Sequence, residues 1–150
     1  MQKLSLPKDC HLRPATAPDI GPIRQLVWSA KLDPTQLRWS QFWVIEQYQS
    51  IIACGQLREF AEAQELGSLV VASASRGRGL GTVLTQHLIQ EASQPLYLEC
   101  LGQRLRQYYE HFGFQVIDWT ELPRALKFKF GLSRLVKILL RVPVQFMHYP

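Results

Sequence analysis

The chain has 150 residues and a net charge of +5, and 47% of its residues are hydrophobic while 19% are charged. This balance is typical of a globular protein and excludes a disordered chain and a coiled coil, and the length fits a single domain over residues 1–150. No apolar run reaches the roughly 18 residues of a membrane span, and we see no signal-peptide core, so we expect a cytoplasmic protein.

The three cysteines, Cys10, Cys54 and Cys100, are an odd number without CxxC spacing. Neither a disulfide framework nor a zinc site is therefore indicated. We expect buried thiols in strands and no bound metal.

The first half of the chain predicts one strand, one helix and three further strands. The stretch CHLRPAT alternates like a strand, and Ile20, Ile23, Leu26 and Val27 follow it at helical spacing. The stretches QFWVIEQY, IIACGQLREF and ELGSLVVAS are rich in β-branched and aromatic residues and are separated by short polar gaps. Strands so closely spaced are expected to form an antiparallel meander.

The second half predicts alternating helices and strands. Leu80, Val83, Leu84 and Leu88 form one helical face that ends before Pro95. LYLECL follows as a short strand, QRLRQYYEHF as a short helix closed by a glycine, and FQVIDWTEL as another strand. The last segment, FGLSRLVKILLRVPVQFMHYP, predicts a helix and a terminal strand.

Glycines and arginines alternate where the ELGSLVVAS strand gives way to the next helix. Arg76 and Arg78 alternate with Gly77, Gly79 and Gly81. Backbone N–H groups at a helix N-terminus lack intrahelical partners and bind phosphate well, and glycine lets the phosphate approach closely. The pattern therefore predicts a phosphate-binding loop.

Two other glycine-rich phosphate motifs are excluded by the residues. A Walker loop needs Gly-Lys-Ser/Thr, but Thr82 follows Gly81 directly. A dinucleotide fingerprint needs glycine or alanine at Leu84, counted from Gly79, or at Thr82, counted from Gly77, and should follow the first strand of a parallel sheet. Both conditions fail.

The loop resembles motif A of the GNAT family of N-acetyltransferases, Arg/Gln-x-x-Gly-x-Gly/Ala, at Arg76, Gly79 and Gly81. The stretch YYEHFGF resembles the signature of the family's fourth helix, and LDPTQLRWSQF is similar to an uncharacterised bacterial subgroup. The resemblance covers residues 10 to about 120. It implies an α/β GNAT fold, with a mixed, mostly antiparallel sheet, splayed fourth and fifth strands, and helices on both faces.

The resemblance also implies acetyl-CoA as cosubstrate, lying where the fourth and fifth strands splay apart. The pantetheine amides would pair with the backbone of Leu69, Val70 and Val71, as an added strand would. Loop amides would hold the pyrophosphate, and arginine side chains would add positive charge. The implied loop residues are Arg76, Gly77, Arg78, Gly79, Leu80, Gly81 and Thr82.

Two residues are implied for proton transfer during acetylation of a primary amine. An alkyl ammonium has a pKa near about 10, so a base must remove a proton before the nitrogen attacks the thioester. Glu65, 11 residues before Arg76, matches the base of histone-modifying relatives, and the alternative is a surface carboxylate. Tyr109 matches the family's general acid for the departing thiolate, and the alternative is core packing. We assign no role to His87 or His111.

The amine acceptor is not named by the sequence, and it can be a small molecule, a protein N-terminus or a lysine. It is expected to meet the first helix, the KLDPTQLRW loop and the C-terminal strands, where Trp39, Trp43 and Trp119 either line the cleft or belong to the core. The alternative function is a catalytically weak acyl-CoA sensor or interaction module. We expect no nucleic-acid partner, and a homodimer stays open.

The C-terminal segment carries the basic excess. Residues 122–150 contain 6 of the 17 lysines and arginines and no acid, which leaves 17 − 6 = 11 bases against 12 acids elsewhere. We expect its helix to cap the acceptor end of the sheet, and attachment to an anionic membrane surface or an acidic partner is the alternative. The predicted apolar face consists of Leu132, Leu135, Val136 and Leu139, and the predicted basic face consists of Arg134, Lys137 and Arg141.

Overall fold

The computed structural model of the protein describes residues 5–141 and 143–150, without the side chains of residues 132, 133, 136 and 137. The described strands form one mixed sheet in the order β1-β2-β3-β4-β5-β7-β6. The predicted α/β fold with a mixed sheet is confirmed. In chain order the elements are β1 (Cys10–Pro14), α1 (Ile20–Ser29), β2 (Phe42–Gln47), β3 (Ser50–Phe60), β4 (Ala63–Val71), α2 (Leu80–Glu91), β5 (Leu96–Leu101), α3 (Gln103–Glu110), β6 (Gln115–Ile117), α4 (Arg124–Leu139) and β7 (Val144–Tyr149).

The predicted strand FQVIDWTEL is too long. Strand β6 ends at Ile117, and a short 3₁₀ turn follows over Trp119–Glu121. The backbone N–H of Asp118 donates to the Glu121 carboxylate at 2.8 Å, a capping-box contact that starts this turn and so ends the strand.

The chain divides into two compact units, Met1–Leu57 with Leu66–Glu91, and Arg58–Glu65 with Ala92–Pro150. In the first unit, β1 and β3 each pair antiparallel with β2. Helix α1 packs on one face of these strands, in a core that includes Val27 and Cys54. The next residue, Gly55, points to the other face, where an added Cβ would come within 2.6 Å of Leu88 in α2. Helices therefore cover both faces of this part of the sheet.

The second unit contains the start of β4, which pairs in parallel with β5 through Gln64↔Leu96 and Glu65↔Tyr97. Strand β7 pairs antiparallel with both β5 and β6, so the last strand lies between two earlier ones. Its Phe146 forms a core with Leu126 and Phe130 of α4.

Helix α4 uses a different face from the predicted one. It begins at Arg124, ahead of the predicted segment, and its buried side chains are Leu126 and Phe130. Leu135 and Leu139, predicted to cap the sheet, are exposed, so that expectation is wrong for them. The side chains of Leu132, Val136 and Lys137 lie outside the described residues. Across the described chain, no helix combines the length and apolar character needed to cross a membrane.

Candidate active site

The glycine-rich segment joins β4 to α2, as the sequence predicted. Strand β4 ends at Val71, and α2 begins at Leu80. Gly77 and Gly79 have φ values of 78° and 77°, in the left-handed region that side-chain-bearing residues rarely adopt. Glycine at these two positions therefore lets the chain turn sharply into the helix.

The first turn of α2 presents free backbone donors. The N–H of Val83 donates to the Gly79 carbonyl at 3.1 Å, which closes the first helical turn. The N–H groups of Leu80, Gly81 and Thr82 precede this bond and have no intrahelical acceptor. Together with the positive end of the helix dipole, they favour an anion at this end of α2.

The two loop arginines are exposed and make contacts within the first unit. The Arg76 Nε donates to the Val71 carbonyl at 3.2 Å, so this predicted pantetheine partner already accepts a hydrogen bond. The Arg78 guanidinium donates to the Gln47 amide oxygen at 3.2 Å. Both cations therefore stay near the loop at the surface.

A buried triad of charged side chains surrounds Glu65. Glu65, on β4, is only 4% exposed, and Arg58, on β3, is 8% exposed. The Arg58 Nη1 donates to Glu65 Oε1 at 2.8 Å, and the Lys129 ammonium from α4 donates to both Glu65 oxygens. The alternative of a surface carboxylate is therefore wrong. With all three groups ionised, the buried triad carries one net positive charge.

The environment of Lys129 disfavours its charged form. Burial lowers the Lys129 pKa, the Glu65 carboxylate opposes this shift, and the Arg58 charge adds to it. The ammonium lies 5.1 Å from the ring centroid of Phe130 and 5.9 Å from that of Phe60. These rings attract the cation and exclude water from one side of it.

Arg58 and Lys129 were missed by the sequence reasoning. A signal for Arg58 exists, because this charged residue, like the polar Gln56, lies on the same face of β3 as the buried Cys54. Lys129 gives no such signal, since it stands among other basic residues, 64 positions after Glu65.

Tyr109 lies inward on α3 and is 8% exposed. Its ring makes edge contacts with Tyr108 and Phe114, at centroid distances of 5.1 and 5.7 Å. Burial raises the pKa of the Tyr109 hydroxyl, so the phenol keeps its proton at neutral pH. The side chain is therefore packed in the core with its hydroxyl protonated.

A buried glutamine holds the segment between α1 and β2. Gln56, on β3, is fully buried, and its amide nitrogen donates to the Gln36 carbonyl at 3.0 Å and to the Gln41 side chain at 2.9 Å. Its own amide oxygen has no hydrogen-bond partner among the described residues. Such an oxygen can accept a hydrogen bond from a ligand donor. Gln56 was also missed, although its polar side chain interrupts the apolar strand.

The three tryptophans expected either to line an acceptor cleft or to belong to the core have different surroundings. The Trp43 ring packs edge-on against His87, with 4.1 Å between the ring centroids, and burial lowers the His87 pKa. The ring centroids of Trp119 and Phe146 lie 5.4 Å apart. Trp39 is exposed. Two of the three rings therefore have packing partners within their own unit.

The three cysteines are free and buried, as predicted. Desolvation raises the pKa of the Cys54 thiol to about 12 and also raises that of Cys100. These two thiols stay protonated at neutral pH. Within the described part of the chain, no group of three or more His, Cys, Asp or Glu side chains is placed to hold a metal ion.

Comparisons with known proteins identify relatives of this architecture. A family model for the acetyltransferase (GNAT) domain matches residues 38–116, which is more than half of the chain. A GNAT family acetyltransferase from Elizabethkingia anophelis, solved with acetyl-CoA bound, is 22% identical, with a TM-score of 0.59 over 75% of this chain and 80% of its own.

Two further solved structures share the fold more completely. Rv2747 from Mycobacterium tuberculosis, solved with CoA and NLQ, is 21% identical, with a TM-score of 0.71 over 92% of this chain and 97% of its own. The N-acetylglutamate synthase from Neisseria gonorrhoeae, complexed with coenzyme A and N-acetyl-glutamate, is 20% identical, with a TM-score of 0.73 over 94% of this chain. This chain matches only 35% of that synthase.

Proposed function

This chain belongs to the GNAT family of acetyltransferases, and we propose that it transfers the acetyl group of acetyl-CoA to the nitrogen of a primary amine. The observation that carries the proposal is the left-handed Gly77 and Gly79 turn into the free N–H groups of α2. In the reaction the amine nitrogen bonds to the thioester carbonyl carbon and the carbon–sulfur bond breaks. The acceptor ammonium loses two of its three protons, one to the base and from there to water, while the departing CoA thiolate takes up one proton.

The loop supplies what a pyrophosphate requires. The N–H groups of Leu80, Gly81 and Thr82 would donate to it, and the open space around Gly77 leaves room for its oxygens. The exposed Arg76 and Arg78 would add positive charge, after exchanging their present contacts for phosphate oxygens. The backbone of Leu69, Val70 and Val71 remains our proposal for the pantetheine arm.

We assign to Glu65 the removal of the proton from the acceptor ammonium. Its carboxylate oxygens accept hydrogen bonds from Arg58 and Lys129, so they are occupied before an acceptor binds. An acceptor that draws one of these cations toward itself would free a carboxylate oxygen to accept the ammonium proton. The assignment therefore fits an acceptor that carries a negative group of its own.

The two buried cations beside Glu65 support the same acceptor class. The Glu99 carboxylate also acts on the Lys129 charge, so Glu65 is not its only acidic neighbour. A carboxylate on the acceptor would add an ion pair with Arg58 or Lys129. The gonococcal synthase was solved with N-acetyl-glutamate, the acetylated form of such an acceptor. We therefore propose a free amino acid, or an amine with a nearby carboxylate, as the acceptor.

Tyr109 would protonate the departing thiolate. The phenol is protonated at neutral pH, as this role requires, but burial raises its pKa and so makes it a weaker acid than an exposed tyrosine. Its ring contacts with Tyr108 and Phe114 limit the positions that the hydroxyl can adopt. A fixed donor assists the leaving group better than a mobile one.

The test is release of free thiol from acetyl-CoA with four matched sets of acceptors. These are free amino acids, their carboxamides, amines without a carboxylate, and short peptides. We expect turnover with free amino acids and at least about tenfold lower kcat/KM with the carboxamides. Equal rates would remove the carboxylate proposal and leave acetyl transfer intact. Acetyl-CoA binding without thiol release from any set would favour the acyl-CoA sensor instead.

A further inference from the structure

Helix α4 has two apolar faces, and only one of them is buried. Leu126 and Phe130, four residues apart, form the buried face. Phe128, Leu135 and Leu139 recur at intervals of seven and four residues and so share the other side of the helix. Phe128 is 92% exposed and Leu139 74% exposed. Phe128, Leu135, Leu139 and the neighbouring, exposed Ile138 are called the exposed α4 face below.

Basic side chains border this face. Arg124 and Arg134 are exposed on α4, and the exposed Arg141 lies two residues after the end of the helix. Lys127 donates to the Thr120 carbonyl at 3.1 Å, and the Arg134 guanidinium lies 4.6 Å from the Trp119 ring, so neither contact neutralises the cation. Among the side chains of α4 that are described, Lys129 alone is paired with a carboxylate.

We propose that the exposed α4 face binds the surface of an anionic lipid bilayer, with α4 parallel to the membrane plane. Apolar side chains would enter the boundary between headgroups and acyl chains, while the bordering arginines and Lys127 would contact lipid phosphates. The seven-residue step from Phe128 to Leu135 spans about 10 Å of convex helix. A bilayer accepts such a surface without a matching pocket.

The positive charge of α4 favours an anionic bilayer over a second copy of this chain as the partner of the exposed α4 face. In an isologous dimer through this face, the arginines of one helix would lie near those of the other. No acidic residue occurs in 122–150 to relieve that repulsion. An anionic surface instead attracts every cation along the border.

Sedimentation of the full chain with vesicles tests the proposal. Vesicles of mixed phosphatidylglycerol and phosphatidylcholine should bind the protein, pure phosphatidylcholine should bind it much less, and added salt should weaken binding. Replacing Phe128 and Leu139 together by glutamine should lower the partition coefficient about tenfold or more. Replacing Arg124 and Arg134 by glutamine should weaken the preference for anionic vesicles, since Lys127 and Arg141 remain. Trp28→Gln, at an exposed tryptophan of α1, is the matched control and should bind normally.

Three results would overturn the proposal. The first is equal sedimentation with neutral and anionic vesicles, or none with either. The second is a concentration-dependent dimer in ultracentrifugation that the Phe128 and Leu139 replacements abolish while vesicles stay unbound. The third is binding of soluble polyglutamate in the absence of vesicle binding, which would make the face a site for an acidic protein.

Discussion

The loop Arg76–Gly81 and the buried triad of Arg58, Glu65 and Lys129 are built by different means. The loop is contiguous and largely exposed, and its anion-binding groups are backbone N–H donors of α2. The triad joins side chains from β3, β4 and α4 in a buried position. Backbone donors tolerate most side-chain changes except at the glycines, whereas each triad member balances the charge of the others. The two regions should therefore respond to mutation in different measurable quantities.

The largest expected effect is on stability, from Glu65→Gln. This change removes the carboxylate that both buried cations, Arg58 and Lys129, contact and should cost about 3–5 kcal/mol in the free energy of unfolding, measured with urea. Glu59→Gln, at an exposed position of the same β-hairpin, should stay within about 0.5 kcal/mol. A loss below about 1 kcal/mol for Glu65→Gln would contradict the role of the triad in holding the fold.

The free energy of unfolding of the Glu65→Gln variant should depend on pH. Without Glu65, the pKa of Lys129 in the folded protein falls further below that in the unfolded chain. The unfolded state then binds more protons, so the stability of Glu65→Gln should rise with pH between the folded Lys129 pKa and the higher pKa of the unfolded chain. A stability difference from the parent protein that stays constant into alkaline solution would argue against a charged Lys129.

The next effect is on cofactor binding, from Gly81→Asp in the second position of α2. A carboxylate beside the proposed pyrophosphate should weaken acetyl-CoA binding about a hundredfold or more in calorimetry, with little change in stability. Gly21→Asp is matched to it, because Gly21 is the second residue of α1 and has open space around it. Unchanged affinity in a folded Gly81→Asp protein would disprove the phosphate-loop assignment.

Tyr109→Phe tests whether the second unit contributes chemistry as well as packing. Loss of the hydroxyl should lower kcat by a factor of about 10² while acetyl-CoA binding survives. Raising the pH to deprotonate the acceptor amine should not restore the rate, since the lost proton serves the thiolate. Full turnover in this variant, with chemistry rate-limiting, would leave Tyr109 as a packing residue only.

Lys129→Met is expected to have the smallest effect. It keeps the Arg58–Glu65 pair and removes one of the two cations proposed to attract the acceptor carboxylate, so KM for a carboxylate-bearing acceptor should rise about tenfold with kcat less affected. Lys129→Arg restores the charge and should recover most of the lost affinity. If both variants raise KM equally for acceptors with and without a carboxylate, the residue fixes the shape of the site and does not recognise charge.

The sequence alone determined what depends on neighbouring residues. Alternation and helical spacing located nearly all strands and helices, and the glycines of 77–81 predicted the strand–loop–helix that the structure contains. Strand β6 was predicted too long, because a capping contact between Asp118 and Glu121 overrode its strand-like composition. These features can be predicted from the sequence because a few neighbouring residues determine the conformation of a turn and of a helix start.

Only the tertiary structure decided the partners of Glu65 and the two faces of α4. Glu65 could be placed on a strand, but its burial depends on α4, whose Lys129 lies 64 residues away. The insertion of β7 between β5 and β6 brings Phe146 against α4 and so selects Leu126 and Phe130 as its buried face. That choice leaves Phe128 exposed. The helical period identifies which residues share a side, but only packing against distant strands determines which side is buried.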